Sequence, residues 1–132
     1  MNRYEAIMPG PWSDKLTFSP AIRVGMLLFI SGTTATDENR NIVGVGDIAE
    51  QTRQIFRKWE PILKAAGATF DNVVETTDYY LTLEGYSQTA DVRREFFRHP
   101  FPAATGVQVA GLIRPEALIE IKGIAVLDAV RG

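Results

Sequence analysis

The 132-residue sequence carries 14 Lys and Arg against 16 Asp and Glu, a formal net charge of −2, with 45% hydrophobic residues and no cysteine. One domain with a single core fits that length and composition, and no basic footprint for nucleic acid or an anionic membrane is visible. Disulfides, thiolate metal sites and a cysteine nucleophile are excluded, and the single histidine, His99, argues against a His-based metal site or a Ser-His triad. The opening MNRYEAIMPG lacks the basic start and apolar run of a signal peptide. Met26–Ile30, the longest apolar run, is too short to cross a bilayer. The expectation is a cytoplasmic protein.

In chain order, Arg3–Met8 alternates weakly, as a short edge strand would, and Pro9-Gly10-Pro11 closes it. Leu16–Phe18 is a further short candidate. Ala21–Val24 and Met26–Ser31 flank Gly25 as a hairpin, and the continuously apolar MLLFI suits a strand buried on both faces. A polar loop follows, with a candidate small strand at Asn41–Val43. Asp47, or else Gly46 or a neighbour, is positioned to cap a first helix whose apolar residues Ile48, Ile55, Phe56, Trp59, Ile62, Leu63 and Ala66 recur at helical spacing, with Gly67 as its stop. Pro61 should kink that helix or displace a turn, because it offers no N–H to Arg57. Asn72–Thr82 is dense in β-formers. Ser87 caps a second helix through about Arg98, burying Val92, Phe96 and Phe97, and Pro100 ends it.

The last third reads as two strands. Thr105–Leu112 alternates Thr105, Val107 and Val109 against Gly106, Gln108 and Ala110. Ala117–Leu127 sets Ile119, Ile121, Gly123, Ala125 and Leu127 against Glu120, Lys122, Ile124 and Val126. Pro115 disfavours helix at Arg114, so the segment between them turns. The sum is a single α+β domain over residues 1–132, a mixed sheet with two helices on one face. Two helices cover one face only. The apolar residues of the other are expected to be buried by self-association, with pockets between subunits.

Glu120, between Ile119 and Ile121, is the residue that asks for a chemical role. As a structural group it would pair with Lys122, Arg114 or Arg23. As a working group on an associating apolar face, it would have a raised pKa and could orient or deprotonate a water. Asp78 sits similarly between Thr77 and Tyr79, where a hydrogen bond to a neighbouring hydroxyl or backbone N–H is the plainer account. Arg23 and Arg114 could hold a carboxylate bidentately. Gly32-Thr33-Thr34 offers backbone donors, and His99 before Pro100 suits a helix C-terminus. No phosphate-binding glycine fingerprint or metal-ligand spacing occurs.

SPAIRVGMLLFISG, a helix ending in KAAGATFDNVVETTDYYL, then FPAATGVQVAGL and IEIKGIAV come in the order of the reactive intermediate deaminase (RidA/YjgF) family, which the chain resembles from about Ser19 to Val126. The resemblance implies a chorismate-mutase-like α+β domain assembled as a homotrimer, with a central barrel of sheets and clefts between subunits. It implies hydrolysis of amino-acid-derived enamines and imines without metal or cofactor, a strand glutamate holding the attacking water; Glu120 matches it. The family's carboxylate-clamping arginine after Pro-Ala is absent, Ala104 following Pro102-Ala103, and the N-terminal aromatic-Ser pair is Phe18-Ser19 where a tyrosine is common. The chain resembles the arginine-lacking branches, so turnover of 2-aminoacrylate is not expected.

The leading expectation is a cofactor-free hydrolytic deaminase of an imine or enamine, with an aminomuconate-type enamine as one candidate substrate. Glu120 would be catalytic. Thr105, Gly106 and Val107, with Phe18, Ser19, Gly32, Arg23, Arg114 and Asp78, would contribute to substrate binding. The alternative is a non-catalytic trimer that binds a small metabolite in the same clefts. The family's older ribonuclease or translation-inhibitor label is opposed by the acidic balance and the lack of a basic stripe. The partners expected are copies of the chain itself and a small molecule, with no nucleic acid and no membrane.

Overall fold

The computed structural model describes residues 3–132. Six strands and two helices are present: β1 (Tyr4–Ile7), β2 (Ala21–Val24), β3 (Leu27–Thr33), α1 (Ile48–Ala65), β4 (Val73–Tyr80), α2 (Thr89–Phe96), β5 (Ala103–Gln108) and β6 (Ile119–Val126). The strands form one sheet in the order β1-β2-β3-β6-β4-β5. Strand β5 runs parallel to β4, and the remaining pairs are antiparallel. The last strand is therefore inserted between β3 and β4, at the centre of the sheet.

Both helices lie on the face that carries Leu28, Ile30, Val73, Ile119, Ile121 and Ala125, and these side chains join Ile55, Phe56, Trp59, Leu63 and Val92 in one buried cluster. Helix α1 docks through the apolar stripe expected of it. Its cap is as expected too, the Asp47 carboxylate accepting from Glu50 N at 3.1 Å. Pro61 does not interrupt α1, which is continuous from Ile48 to Ala65. Both Pro61 and Arg57 are exposed, so the carbonyl left without an N–H lies on the solvent side, where water can satisfy it. Helix α2 is shorter than expected. A 3-10 turn at Tyr86–Gln88 precedes it, and Phe97 leaves the helix to bury its ring against Phe56, the centroids 5.2 Å apart.

The terminal strand pair shifts slightly from its expected place. Strand β5 begins two residues early at Ala103 and ends at Gln108, although Val109 N still donates to Tyr80 O. Leu16–Phe18 is not a strand, and Asn41–Val43 contributes only an isolated bridge, Thr36 to Ile42. The face opposite the helices carries Leu27, Phe29, Ile124, Val126, Thr77, Tyr79, Thr105 and Val107 by register, with Glu75, Glu120 and Lys122 among them. Phe29 is 42% exposed, Leu27 40% and Val107 39%. All six residues of β5 are exposed at the sheet edge. The uncovered apolar face expected from alternation is there.

Candidate functional site

Glu120 is the second residue of β6, and alternation turns it away from Ile119 and Ile121, both fully buried under the helices. Its cross-strand neighbour on β4 is Tyr79, and beyond Tyr79 on β5 lies Val107. On the other side Glu120 lies against β3, which bulges between Ile30 and Thr33. A Cβ at Gly32 would stand 2.7 Å from Glu120 Oε2, so glycine is what lets the carboxylate lie flat against this segment. Burial of about half the side chain pushes its pKa above the usual carboxylate value, and the Lys58 cation pulls it back in part. Among the described residues no protein donor hydrogen-bonds Glu120 and no ion pair includes it. Within one chain, Lys122, Arg114 and Arg23 therefore do not pair with it.

Lys58 approaches from the helical side. Its ammonium donates to Thr33 Oγ1 at 2.5 Å, Thr34 O at 2.8 Å and Thr36 Oγ1 at 2.8 Å, all on the stretch that follows Gly32. Burial, with Arg114 adding like-charge repulsion, pushes its pKa down to about 8 against the attraction of Glu120. Gln54 Nε2 holds the same stretch through Thr36 O. Buried Gln51 fixes the other approach: its amide donates to Gly44 O and Glu116 O and accepts from Leu118 N, two residues before Glu120.

The sequence candidates separate around this centre. Gly32 touches Glu120. Ser19 and Phe18 lie alongside β3, because Ser31 Oγ donates to Ser19 O at 2.6 Å; Phe18 itself is exposed and stacks edge-on against Trp12. Arg114 reaches the field of Lys58 and donates to Arg40 O at 3.3 Å. Thr105 and Val107 share the open face with Glu120 but stand two strands away, about 10 Å. Gly106 faces the helices, where a Cβ would lie 2.8 Å from the Tyr86 hydroxyl. Arg23 pairs with Leu28, puts its side chain on the opposite face and donates to Gly25 O. Asp78 also faces the helices. It is buried, it accepts from Tyr86 at 2.8 Å, and it is ion-paired with Arg93. Within one chain, Arg23 and Asp78 do not join Glu120.

Lys58 and Tyr79 are the members that sequence reading missed. Lys58 left a signal: it falls three residues after Ile55 and four before Ile62, inside the stripe that packs on the sheet. Tyr79 left none short of the register. Concavities of about 490 Å³, between Asp71 and Arg131, and about 180 Å³, between Arg93 and Ala104, both leave Glu120 outside. Among the described residues no three His, Asp or Glu side chains gather to hold a metal ion, and no helix is long and apolar enough to cross a membrane.

A two-helix α+β layer with a lone half-buried carboxylate on its uncovered face is the class defined so far. The sequence matches the family described as Endoribonuclease L-PSP over residues 13–127. It is 35% identical over 122 residues to the 3-aminoacrylate deaminase RutC of Acinetobacter baylyi, covering 92% of this chain and 96% of that one. It is 32% identical over 109 residues to the human 2-iminobutanoate/2-iminopropanoate deaminase, covering 83% and 79%. The crystal structure of RidA from an Antarctic Psychrobacter superposes with a TM-score of 0.82 at 27% identity, covering 92% of this chain and 98% of that one. The chain belongs to this family, the RidA/YjgF family that its sequence resembles.

Proposed function

We propose that the protein is a hydrolytic deaminase of a small imine or enamine, acting without metal or cofactor, with Glu120 as the group that positions and activates water. The observation that carries this reading is the Glu120 carboxylate itself: half-buried, on the open face, against Gly32, and without a protein donor. A strand carboxylate kept for structure would be held by protein donors, as Asp78 Oδ2 is by Tyr86 and Arg93. The relatives named as deaminases of 3-aminoacrylate and of 2-iminobutanoate and 2-iminopropanoate support the reaction class.

The chemistry asks little of the protein. An enamine first takes a proton at carbon and becomes the iminium ion, the protonated form of the imine. Water then adds to the C=N carbon while Glu120 accepts one of its protons. Protonated Glu120 returns its proton to the nitrogen of the resulting carbinolamine, and the hydroxyl gives up its own proton as ammonia leaves, forming the carbonyl product. Glu120 must be ionised to begin, and its partial burial makes it a stronger base than a free carboxylate.

The uncovered face supports assembly as a homotrimer. Phe29, Leu27, Val107 and the exposed edge strand β5 form an apolar surface that a second copy would cover, turning the open Glu120 face into a cleft. Sedimentation equilibrium tests this; a monomer at micromolar concentration would refute it. Ala104, where an arginine would clamp a carboxylate, is a departure that favours a substrate other than 2-aminoacrylate, an aminomuconate-type enamine among them. It also leaves a second reading, metabolite binding in the same cleft without turnover. Ammonia release measured against a panel of enzymatically generated imines and 2-aminomuconate decides between the two. Release above the uncatalysed rate with at least one member supports the deaminase, and binding without release supports the second reading.

A further inference from the structure

The segment Gly32–Thr36 is held from both sides by charged groups. The Glu120 carboxylate lies against Gly32, and the three donors of the Lys58 ammonium engage Thr33 Oγ1, Thr34 O and Thr36 Oγ1. Lys58 enters from α1, within the stripe that packs on the sheet, where a lysine is costly to bury. A residue needed only to close α1 on the sheet would be apolar there, as Ile55 and Ile62 are.

We propose that Lys58 is a positioning residue for Glu120: its ammonium fastens the Gly32–Thr36 segment against which the carboxylate lies, and sets a cation against that same segment. As a statement about catalysis this rests on the deaminase reading. As a statement about the pair it rests on the Gly32–Thr36 segment that both groups touch. Burial acts against both charges and each opposes it in the other, in keeping with their places on that segment. The other titratable or charged side chains on elements packed around the pair are Tyr79 on β4, Lys122 on β6, Arg114 in the loop before β6, Arg57 on α1, and Asp37 and Arg40 after β3. Arg57 is tied to Glu50, and the Asp37 carboxylate accepts from the backbone of Asn39 and Asn41. The one effect resolved from this set is that of Arg114, which acts on Lys58.

The test reads the ionisation of Glu120 directly. Protein carrying 13C-carboxyl glutamate is titrated by NMR, the Glu120 signal being assigned by its loss in Glu120→Gln. In Lys58→Met the Glu120 midpoint should rise by about one pH unit or more. The acid limb of kcat/KM should move with it, an approximately tenfold loss per unit below the limb. Lys58→Arg should restore most of the shift, and Arg57→Met should leave the midpoint in place. A loss of packing alone would not move a carboxylate midpoint and then be rescued by arginine. Should Lys58→Met fail to fold, the reciprocal measurement remains: in Glu120→Gln the Lys58 amine, followed by its own NMR signals, should titrate below its wild-type midpoint. An unmoved Glu120 midpoint in folded Lys58→Met, or an unmoved Lys58 midpoint in Glu120→Gln, overturns the proposal. Should both midpoints move while no imine releases ammonia, the deaminase reading falls and the pairing holds.

Discussion

Asp78 and Glu120 stand one residue out of register on neighbouring strands, Asp78 opposite Ile121 and Glu120 opposite Tyr79. That single residue puts them on opposite faces of the sheet. Asp78 lies under the helices, with Arg93 and Tyr86 bound to one of its oxygens and Thr76 sharing the same guanidinium. Glu120 lies on the open face, with a glycine beneath it and a lysine acting through its field. The first carboxylate is committed to holding α2 on the sheet. The second is left with its basic oxygens available. One residue of register thus gives two strand carboxylates different faces and different partners.

The largest effect expected from breaking this contrast is chemical. Glu120→Gln keeps the shape of the side chain and removes the basic oxygen. Single-turnover rates on the best imine substrate should then fall about 100- to 10,000-fold, with the melting temperature near wild type. Asp78→Asn should do the reverse. It leaves the Arg93 guanidinium without its counter-charge in a buried setting, which costs about 3–5 kcal/mol in unfolding free energy by denaturant titration. Its activity should track the folded fraction. A normally folded Asp78→Asn that loses the rate, beside a Glu120→Gln that keeps it, would exchange the two roles.

Gly32→Ala sharpens the comparison by moving Glu120 without altering its chemistry. The added methyl would meet Oε2 at 2.7 Å, so the carboxylate must shift, and a displacement of that kind costs on the order of 10²-fold in kcat. Unchanged kcat would mean that the position of the carboxylate against β3 is immaterial. The smallest effect is on the pH dependence of stability. The folded-state pKa of Glu120 lies above its ordinary 4.5, so between those values the native state holds more protons than the unfolded chain. Its contribution to stability is present below 4.5 and is lost as pH rises through the folded value. Urea unfolding of wild type against Glu120→Gln should show a slight extra decline across that window in wild type alone, slight because half of the side chain meets solvent.

Local chemistry determined the elements and their faces. The apolar period of α1, the Asp47 cap, the Gly67 stop and the alternation around Glu120 are all properties of short stretches, and each is realised in the structure. The alternation by itself turned Glu120 away from Ile119 and Ile121, so its position on the uncovered face was legible before any fold was known. Tertiary structure decided what stands beside it. Pairing β6 between β3 and β4 brings Gly32 from 88 residues upstream and Tyr79 from 41 upstream to the same carboxylate, and the docking of α1 brings Lys58. Arg23, Arg114 and Asp78 are all candidates for substrate binding from the sequence alone. Register sent Arg23 and Asp78 to the other face and left Arg114 at the margin, acting on Lys58. Periodicity is local and fixes the face on which a side chain lies. Strand order and helix docking are long-range, and they alone determine which side chains meet.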